Sequence, residues 1–392
     1  MLLRLLEPLR DVQPPFATVC LDASRVDPAN EDKVEARWSD LARHLEARGA
    51  PAETIEALSG PALEPTGHGG EHTRVLVASG DTVALDLVLP GRPAREEAGF
   101  GRLPHLMPVA RALATAVPHV VARIDRSGAD LEFVGALGDV EDEEEVTGGH
   151  DVIHKVPGGG WAQRRYESRA EDSWERNATA VAEELGRVVA RHRPELVLVA
   201  GDDKAVAALE AHAGHELAQR LVRIDSGGRG AGTSEAAERE AIERALEEHR
   251  RTQRQALLDR LSEQLSRQQE AVEGLDAVVE VLRRGQVAEL LLWDDPTATT
   301  RLWVGEEPLQ IGLSRRDAGA AGATEPVEVR ADAALLWGLL GSSAGITVLD
   351  RDDHPVRDGV AALLRWSDVA TPHSGVPSMP GHGEPPGAAN PV

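Results

Sequence analysis

The stretch His119-Val-Val-Ala-Arg-Ile-Asp125-Arg-Ser-Gly128-Ala-Asp-Leu131 decides the fold. His119 to Arg126 reads as a strand, Ser127-Gly128 as a turn, and Asp130 to Val134 as the hairpin partner. An acidic run from Glu141 to Glu145 follows and reads as a solvated face or loop. A short apolar segment, Val152-Ile-His-Lys-Val-Pro157, then ends in Gly158-Gly159-Gly160. Ser168 to His192 reads as a helix that Pro194 ends. Leu196-Val-Leu-Val-Ala200 is a buried-type strand, and Gly201-Asp202-Asp203 after it is a helix N-cap signal. This order of strands and helices predicts an α/β domain.

Outward from this centre, the N-terminal side offers a short helix over Leu2 to Arg10 and a strand over Phe16 to Leu21. A helix over Pro28 to Arg48 carries Val34, Trp38, Leu41 and Leu45 at spacings of three and four. Thr73 to Ser79 and Thr82 to Leu89 form a hairpin around Gly80-Asp81, and Pro90 to Pro104 reads as a loop. On the C-terminal side, Thr233 to Leu282 reads as one or two long helices bridging domains, with a broken stripe of Ile242, Leu246, Leu257, Leu261 and Leu265. Strands over Val287 to Trp293, Ile346 to Leu349 and Val360 to Trp366, with a helix over Ala331 to Leu340, make a further α/β region. From Ser367 onward Pro and Gly dominate, and a disordered tail is expected. The domain boundaries that follow are 1–116, 117–272 with a glycine loop at 156–166, 273–366, and a tail at 367–392.

A chain of 392 residues exceeds what one hydrophobic core sustains, in keeping with several domains. The net charge of −24, from 66 acidic and 42 basic side chains, argues against diffuse affinity for nucleic acid. RNA binding must therefore draw on local positive charge. Cys20 is the only cysteine, so one chain can form neither an internal disulfide nor a cysteine zinc cluster. The N-terminus is broken by charge and proline too early for a signal peptide, and no apolar run approaches the ~20 residues that span a bilayer. A cytoplasmic protein is expected.

Val156-Pro-Gly-Gly-Gly-Trp161-Ala-Gln163-Arg164-Arg165-Tyr166 supplies the local charge. Three glycines let a loop protrude and its backbone approach another surface closely. Lys155, Arg164 and Arg165 surround the loop, with no acid between Val152 and Tyr166. Trp161 offers a face on which an unpaired base can stack. The bland alternative is an ordinary glycine-rich loop whose tryptophan packs back on its own domain.

The ordered set of residues resembles the archaeo-eukaryotic release factor/Pelota superfamily. The resemblance starts with the hairpin from His119 and continues through His154-Lys-Val-Pro-Gly-Gly-Gly160, Arg165-Tyr166, the long helix and Leu196 to Gly201. It goes on through Val281-Leu-Arg-Arg-Gly-Gln-Val-Ala-Glu-Leu-Leu-Leu-Trp293, Gly345 to Leu349 and Asp358 to Trp366, so it covers roughly 118 to 366. Residues 1–116 show no such match, and no Asn-Ile-Lys-Ser motif of the codon-reading domain is present. The resemblance implies an α/β, three-domain release-factor-like architecture with an RNase-H-like middle domain and long bridging helices. It implies a ribosome-associated translation factor that contacts rRNA at the A site, with no cofactor of its own and neither membrane nor DNA as partner. Bacterial chains with a Gly-Gly-Trp loop look most similar. Within the superfamily, the ribosome hibernation factor Balon implies protection of idle or stalled ribosomes in stress, with elongation factor Tu as a possible delivery partner. The more distant Vms1 type implies peptidyl-tRNA hydrolysis in rescue.

Trp161 stands where the superfamily's release factors carry glutamine after two glycines. An indole has one donor and no acceptor, and cannot place a water as an amide does. Two readings stand. Either the loop only docks, through Lys155, Gly158, Gly159, Gly160, Trp161, Gln163, Arg164 and Arg165, or Gln163 positions the water through a shifted loop and the protein hydrolyses peptidyl-tRNA.

Other signals are weaker. His150 and His154 have the spacing of helical metal ligands but lie in a loop or strand context. Gly227-Gly-Arg-Gly-Ala-Gly232 reads as a mobile connection rather than a phosphate cradle. Asp125, Asp202 and Asp203 at strand ends suggest a metal-dependent nuclease, while turn and N-cap roles account for each of them without a metal.

Overall fold

The computed structural model describes residues 5–25, 30–125, 127–147, 161–229, 234–349 and 355–372. The chain is mixed α/β and its contacts divide it into two compact units. One comprises Met1–Phe16, Phe100–Ala110 and Leu258–Val392, the other Ala17–Gly99 and Arg111–Leu257. Among the described residues no helix is long and apolar enough to cross a membrane.

The first sheet forms from β1 (Phe16–Asp22), followed after α1 (Asn30–Ala47) and α2 (Ala52–Leu63) by β2 (His72–Ser79), β3 (Thr82–Pro90) and β4 (Glu97–Gly101), in the order β3-β2-β1-β4. The hairpin falls where the alternation places it, with Gly80 at φ 56° in the turn. Val34, Trp38, Leu41 and Leu45 are buried along α1. Two elements differ from the sequence reading. The expected loop at 90–104 contains β4, and α2 forms despite Pro61, which lies near its C-terminal end. A short helix, α3 (Met107–Ala114), follows.

The middle sheet joins β5 (His119–Ile124), β6 (Gly128–Val134) and β7 (Val140–Thr147) as an antiparallel meander. Next come α4 (Trp161–His192), β8 (Leu196–Gly201), α5 (Asp203–His212), α6 (His215–Ala218), β9 (Leu221–Arg223) and α7 (Glu235–Arg267). The order is β7-β6-β5-β8-β9, with β8 parallel to β5 and β9 parallel to β8, which is the RNase-H-like arrangement. Both faces of β8 are buried, as a central parallel strand requires. Val197 and Val199 meet α4 through Val181, Leu185, Val188 and Val189. Leu196, Leu198 and Ala200 pack with Ala241 and Leu246 of α7. The acidic run is therefore a strand, not a loop. It pairs with β6, and Arg191 at the end of α4 takes up Asp142 (2.9 Å) and Glu144 (2.8 Å).

In the other unit the expected helical stretch 233–282 is interrupted. Gln268 takes φ 53° after α7, and β10 (Ala271–Glu273) precedes α8 (Leu275–Arg283). Then follow β11 (Val287–Trp293), β12 (Arg301–Val304), β13 (Ile311–Gly312), α9 (Arg315–Ala320), β14 (Val327–Arg330), α10 (Ala331–Leu339), β15 (Gly345–Leu349) and β16 (Val360–Leu364). They make two sheets, β10-β16-β11-β15 and β13-β12-β14. The start of the expected disordered tail is docked: Thr371 is 3% exposed and accepts from Gln286 Nε2 (3.0 Å), and Arg284 binds Asp368 (2.5 Å). Residues 373–392 of that tail lie outside the described residues.

Candidate RNA-docking site

β7 ends at Thr147 and α4 begins at Trp161, so residues 148–160, which include the three glycines, connect a sheet-edge strand to a 32-residue helix. The base of both supports is fixed. Four aliphatic side chains of α4, at positions 181, 185, 188 and 189, lie in the core at helical spacing. At its C-terminal end His192 stacks on Phe133 (ring centroids 4.2 Å apart) and bonds Asp142 (2.9 Å). The hydrogen bond from His192, with help from Arg191, holds the Asp142 carboxyl below the usual carboxylate range. Glu184 is shifted the other way, upward, by burial and by the neighbouring Glu144, against the pull of Arg187 and Arg191. Among the α4 residues whose burial is described, Glu175 and Arg176 are exposed and Asn177 and Ala178 are buried.

Lys155, Gly158, Gly159 and Gly160 lie outside the described residues, as do His150 and His154. Trp161, Gln163, Arg164 and Arg165 belong to the first turns of α4, which starts seven positions before the Ser168 expected from sequence. Positions 161–166 are thus helix rather than loop.

At the carboxyl ends of β5 and β8, Ile124 and Gly201 are paired, which brings Asp125 and Asp202 to neighbouring strand ends. Each carboxylate is already engaged. Asp125 accepts from the Ser127 amide (2.7 Å) and hydroxyl (2.6 Å), the Gly128 amide (3.0 Å) and Arg229. Burial opposes its ionisation, but these donors outweigh burial and hold its pKa below the ordinary value. Asp202 caps α5 through the amides of Lys204 (3.1 Å) and Ala205 (3.4 Å), and Asp203 pairs with Arg223. Among the described residues no group of three or more His, Cys, Asp or Glu could hold a metal. A turn engages Asp125, a helix cap engages Asp202, and an ion pair engages Asp203. A cavity beside them, lined by Ile124, Asn177, Val181, Lys204 and Leu209, holds about 30 Å³, room for a water and not for a nucleotide.

Of the glycine-rich connector expected to be mobile, Gly227 to Arg229 are described and packed, while 230–232 lie outside the described residues. Gly228 lies over Gly201, where an added Cβ would come within 3.3 Å of the Gly201 Cα. Arg229 then binds Asp130 (2.9 Å), Glu145 (3.0 Å) and Asp125 (3.4 Å), tying together β6, β7 and the turn after β5. These carboxylates, Asp130 foremost, hold the guanidinium pKa above its ordinary value despite partial burial. Sequence reasoning did not single out Arg229. The available signal was one cation among glycines facing a strand of acids.

The RNase-H-like sheet and the long helix α4 fall within the stretch that a known family matches. Residues 118–267 match the sequence profile of bacterial archaeo-eukaryotic release factor family 2. The chain is 27% identical over 364 residues to the uncharacterized protein Rv2629 of Mycobacterium tuberculosis H37Rv, covering 90% of this chain and 94% of that protein. The uncharacterized protein MT2704 of M. tuberculosis CDC 1551 is similar to the same degree. Among solved structures, similarity extends to archaeal Pelota in a ribosome-bound model with ABCE1 (TM-score 0.38, 17% identity, 93% of this chain and 94% of that chain). It also extends to Archaeoglobus fulgidus Pelota (TM-score 0.31, 16% identity, 76% and 80%) and to Saccharomyces cerevisiae Dom34 (0.37, 9%, 77% and 81%).

Proposed function

We propose that this protein is a ribosome-associated translation factor that occupies the A site and protects idle or stalled ribosomes by docking there, without ester hydrolysis. The observation that carries the reading is the family match over 118–267, a stretch whose sequence contains Gly158-Gly-Gly-Trp161. The family resemblance brings the loop to RNA, and the indole at 161 removes the amide that would position a water. In this reading residues 117–272 form the ribosome-facing module, residues 273–366 a second α/β module, and elongation factor Tu is a delivery partner. The competing reading, peptidyl-tRNA hydrolysis in rescue, predicts a different outcome in the same experiment.

The test uses purified full-length protein and 70S ribosomes. Co-sedimentation is expected at low salt and should weaken as salt rises, since Lys and Arg contacts to phosphates release counterions. Trp161→Ala should weaken binding by ~1–3 kcal/mol, the usual stacking contribution, with unchanged melting. Labelled peptide should stay on stalled peptidyl-tRNA. Absence of co-sedimentation sinks the ribosome reading, and release that disappears in Gln163→Ala with binding intact establishes the hydrolase instead.

A further inference from the structure

Most arginines of this acidic chain are spent on its own carboxylates or carbonyls, as at Arg191, Arg229 and Arg330. Arg301, Arg315 and Arg316 are different. All three are exposed, and among the described residues their side chains make no ion pair or hydrogen bond. All three belong to the small sheet β13-β12-β14 and to the helix α9 that packs on it.

Strand register and the packing of α9 bring them to the same side of the small sheet. Along β12, Leu302 and Val304 are buried, so Arg301 and Trp303 point to the opposite side. Gly312 of β13 is the cross-strand partner of Trp303 and shares its side of the sheet. A Cβ on Gly312 would strike the Ala318 amide at 2.5 Å and the Asp317 Cβ at 2.7 Å, so α9 lies on that same side. Ala318 of α9 is fully buried, while Arg315 and Arg316 in its first turn are exposed. Leu313, just before α9, is 47% exposed. Trp303 is half-buried, with Arg301 two positions away, roughly 6.8 Å along the same face. The face also holds Arg330, opposite Arg301 and bound to Asp332, and the exposed Glu328, opposite Trp303.

We propose that this face is an RNA-docking surface, separate from the glycine loop, that takes an unpaired strand with Arg301, Arg315 and Arg316 on its phosphates and Trp303 beneath a base. Three uncommitted guanidinium groups beside a partly open indole are the elements of a single-strand platform: charge that follows the backbone and an aromatic that accepts any base. An acidic protein segment would satisfy the arginines but has no use for the indole between them. The surface deepens the ribosome-binding reading and rests on it for its setting, since a second contact on rRNA would orient a factor whose first contact is the loop.

The experiment measures binding of full-length protein to a fluorescein-labelled 12-mer of uridines by anisotropy across a salt series, and to 70S ribosomes by sedimentation. Arg301→Ala/Arg315→Ala/Arg316→Ala should weaken oligomer binding roughly tenfold near 0.1 M salt, and reduce the slope of log K against log salt by about 2. Glu328→Gln should tighten binding roughly threefold, a gain that misfolding cannot produce. A 12-base-pair RNA duplex should bind more weakly than the single strand. Unchanged oligomer binding in the triple variant, with wild-type melting, overturns the proposal. So does equal affinity for the duplex, or capture of poly-glutamate that depends on the three arginines while RNA binding does not. If the triple variant loses the oligomer and the wild type never sediments with ribosomes, the surface stands and the ribosome reading fails. If sedimentation persists undiminished in the triple variant, the ribosome reading stands and this surface has no part in it.

Discussion

Replacing Arg229 with alanine tests whether the glycine-rich connector is a fixed part of the middle domain. The guanidinium is 15% exposed and meets three carboxylates that are 40%, 42% and 64% exposed. Water screens pairs of this kind, so each contributes about 0.5 kcal/mol. The variant also leaves Asp125, Asp130 and Glu145 facing one another without a cation, and strips the packing of the arginine stem. The expected loss is about 2 kcal/mol, or a melting temperature lower by about 4–8 °C for a unit of this size. Arg229→Lys keeps the charge without the fork and should lose about half as much. The pH dependence carries a sign. Asp125 has a depressed folded pKa, so its contribution is full above its unfolded value of about 3.9 and disappears as pH falls through the folded value. Without Arg229 the folded value rises, and the acid-side loss moves to higher pH. Calorimetric melts of the full chain between pH 3 and 7 measure both effects. An alanine variant that melts within about 1 °C of wild type at neutral pH, with the same acid profile, would refute the staple.

Two glycines should respond with opposite sign. Gly201→Ala brings a Cβ within 1.9 Å of the Ile124 carbonyl at φ 151°, so the β5–β8 pairing must shift, at a cost of about 4 kcal/mol by chemical denaturation. Gly186→Ala, inside α4 with nothing within 4 Å, should stabilise by about 0.5–1 kcal/mol in the same assay. Burial, followed by the charge of Glu97, pushes the Cys20 thiol up to about 12, so native protein at pH 8 should resist iodoacetamide until it unfolds; rapid native alkylation would contradict this. Asp202→Ala should cost about 1 kcal/mol as a lost cap, and Asp125, Asp202 and Asp203→Asn together should change no RNA cleavage in Mg²⁺ or Mn²⁺. Metal-dependent cleavage abolished in that triple variant would restore the nuclease reading.

The parts of the fold legible in sequence are those where one periodicity dominates. Phe16–Asp22, the hairpin at Gly80, Leu196–Gly201 and Val287–Trp293 all stand within one or two residues of their expected bounds, because buried strands and two-residue turns leave unmixed patterns. The misreadings have a common cause in tertiary compensation. Glu141 to Glu145 has poor strand propensity by composition, yet β6 pairs with it and Arg191 and Arg229 neutralise part of it from distant positions. The start of α4 at Trp161 was hidden by the arginines and glutamine after the glycines, which read equally as a loop. The small sheet β13-β12-β14 was unreadable because its strands are two to four residues long, shorter than any periodic signal. Of the candidate site, the sequence offers the residue types and the departure at 161, while the start of α4 at Trp161 required the structure.

The charge distribution follows from these particulars. A protein of net charge −24 is repelled on average by RNA, and at physiological ionic strength that repulsion is screened beyond about 8 Å. Binding therefore depends on which charges lie within contact range, not on the total. On the middle sheet the densest acids are engaged at the base: Asp142 and Glu144 with Arg191, Glu145 with Arg229, and Glu132 and Glu238 with Arg123. The segment from Val152 to Tyr166 contains no carboxylate and three cations, Lys155, Arg164 and Arg165. Asp151 and Glu167 border it directly, so within one screening length its charge is mixed, and contact with RNA depends on its cations meeting phosphate at closer range than those carboxylates do.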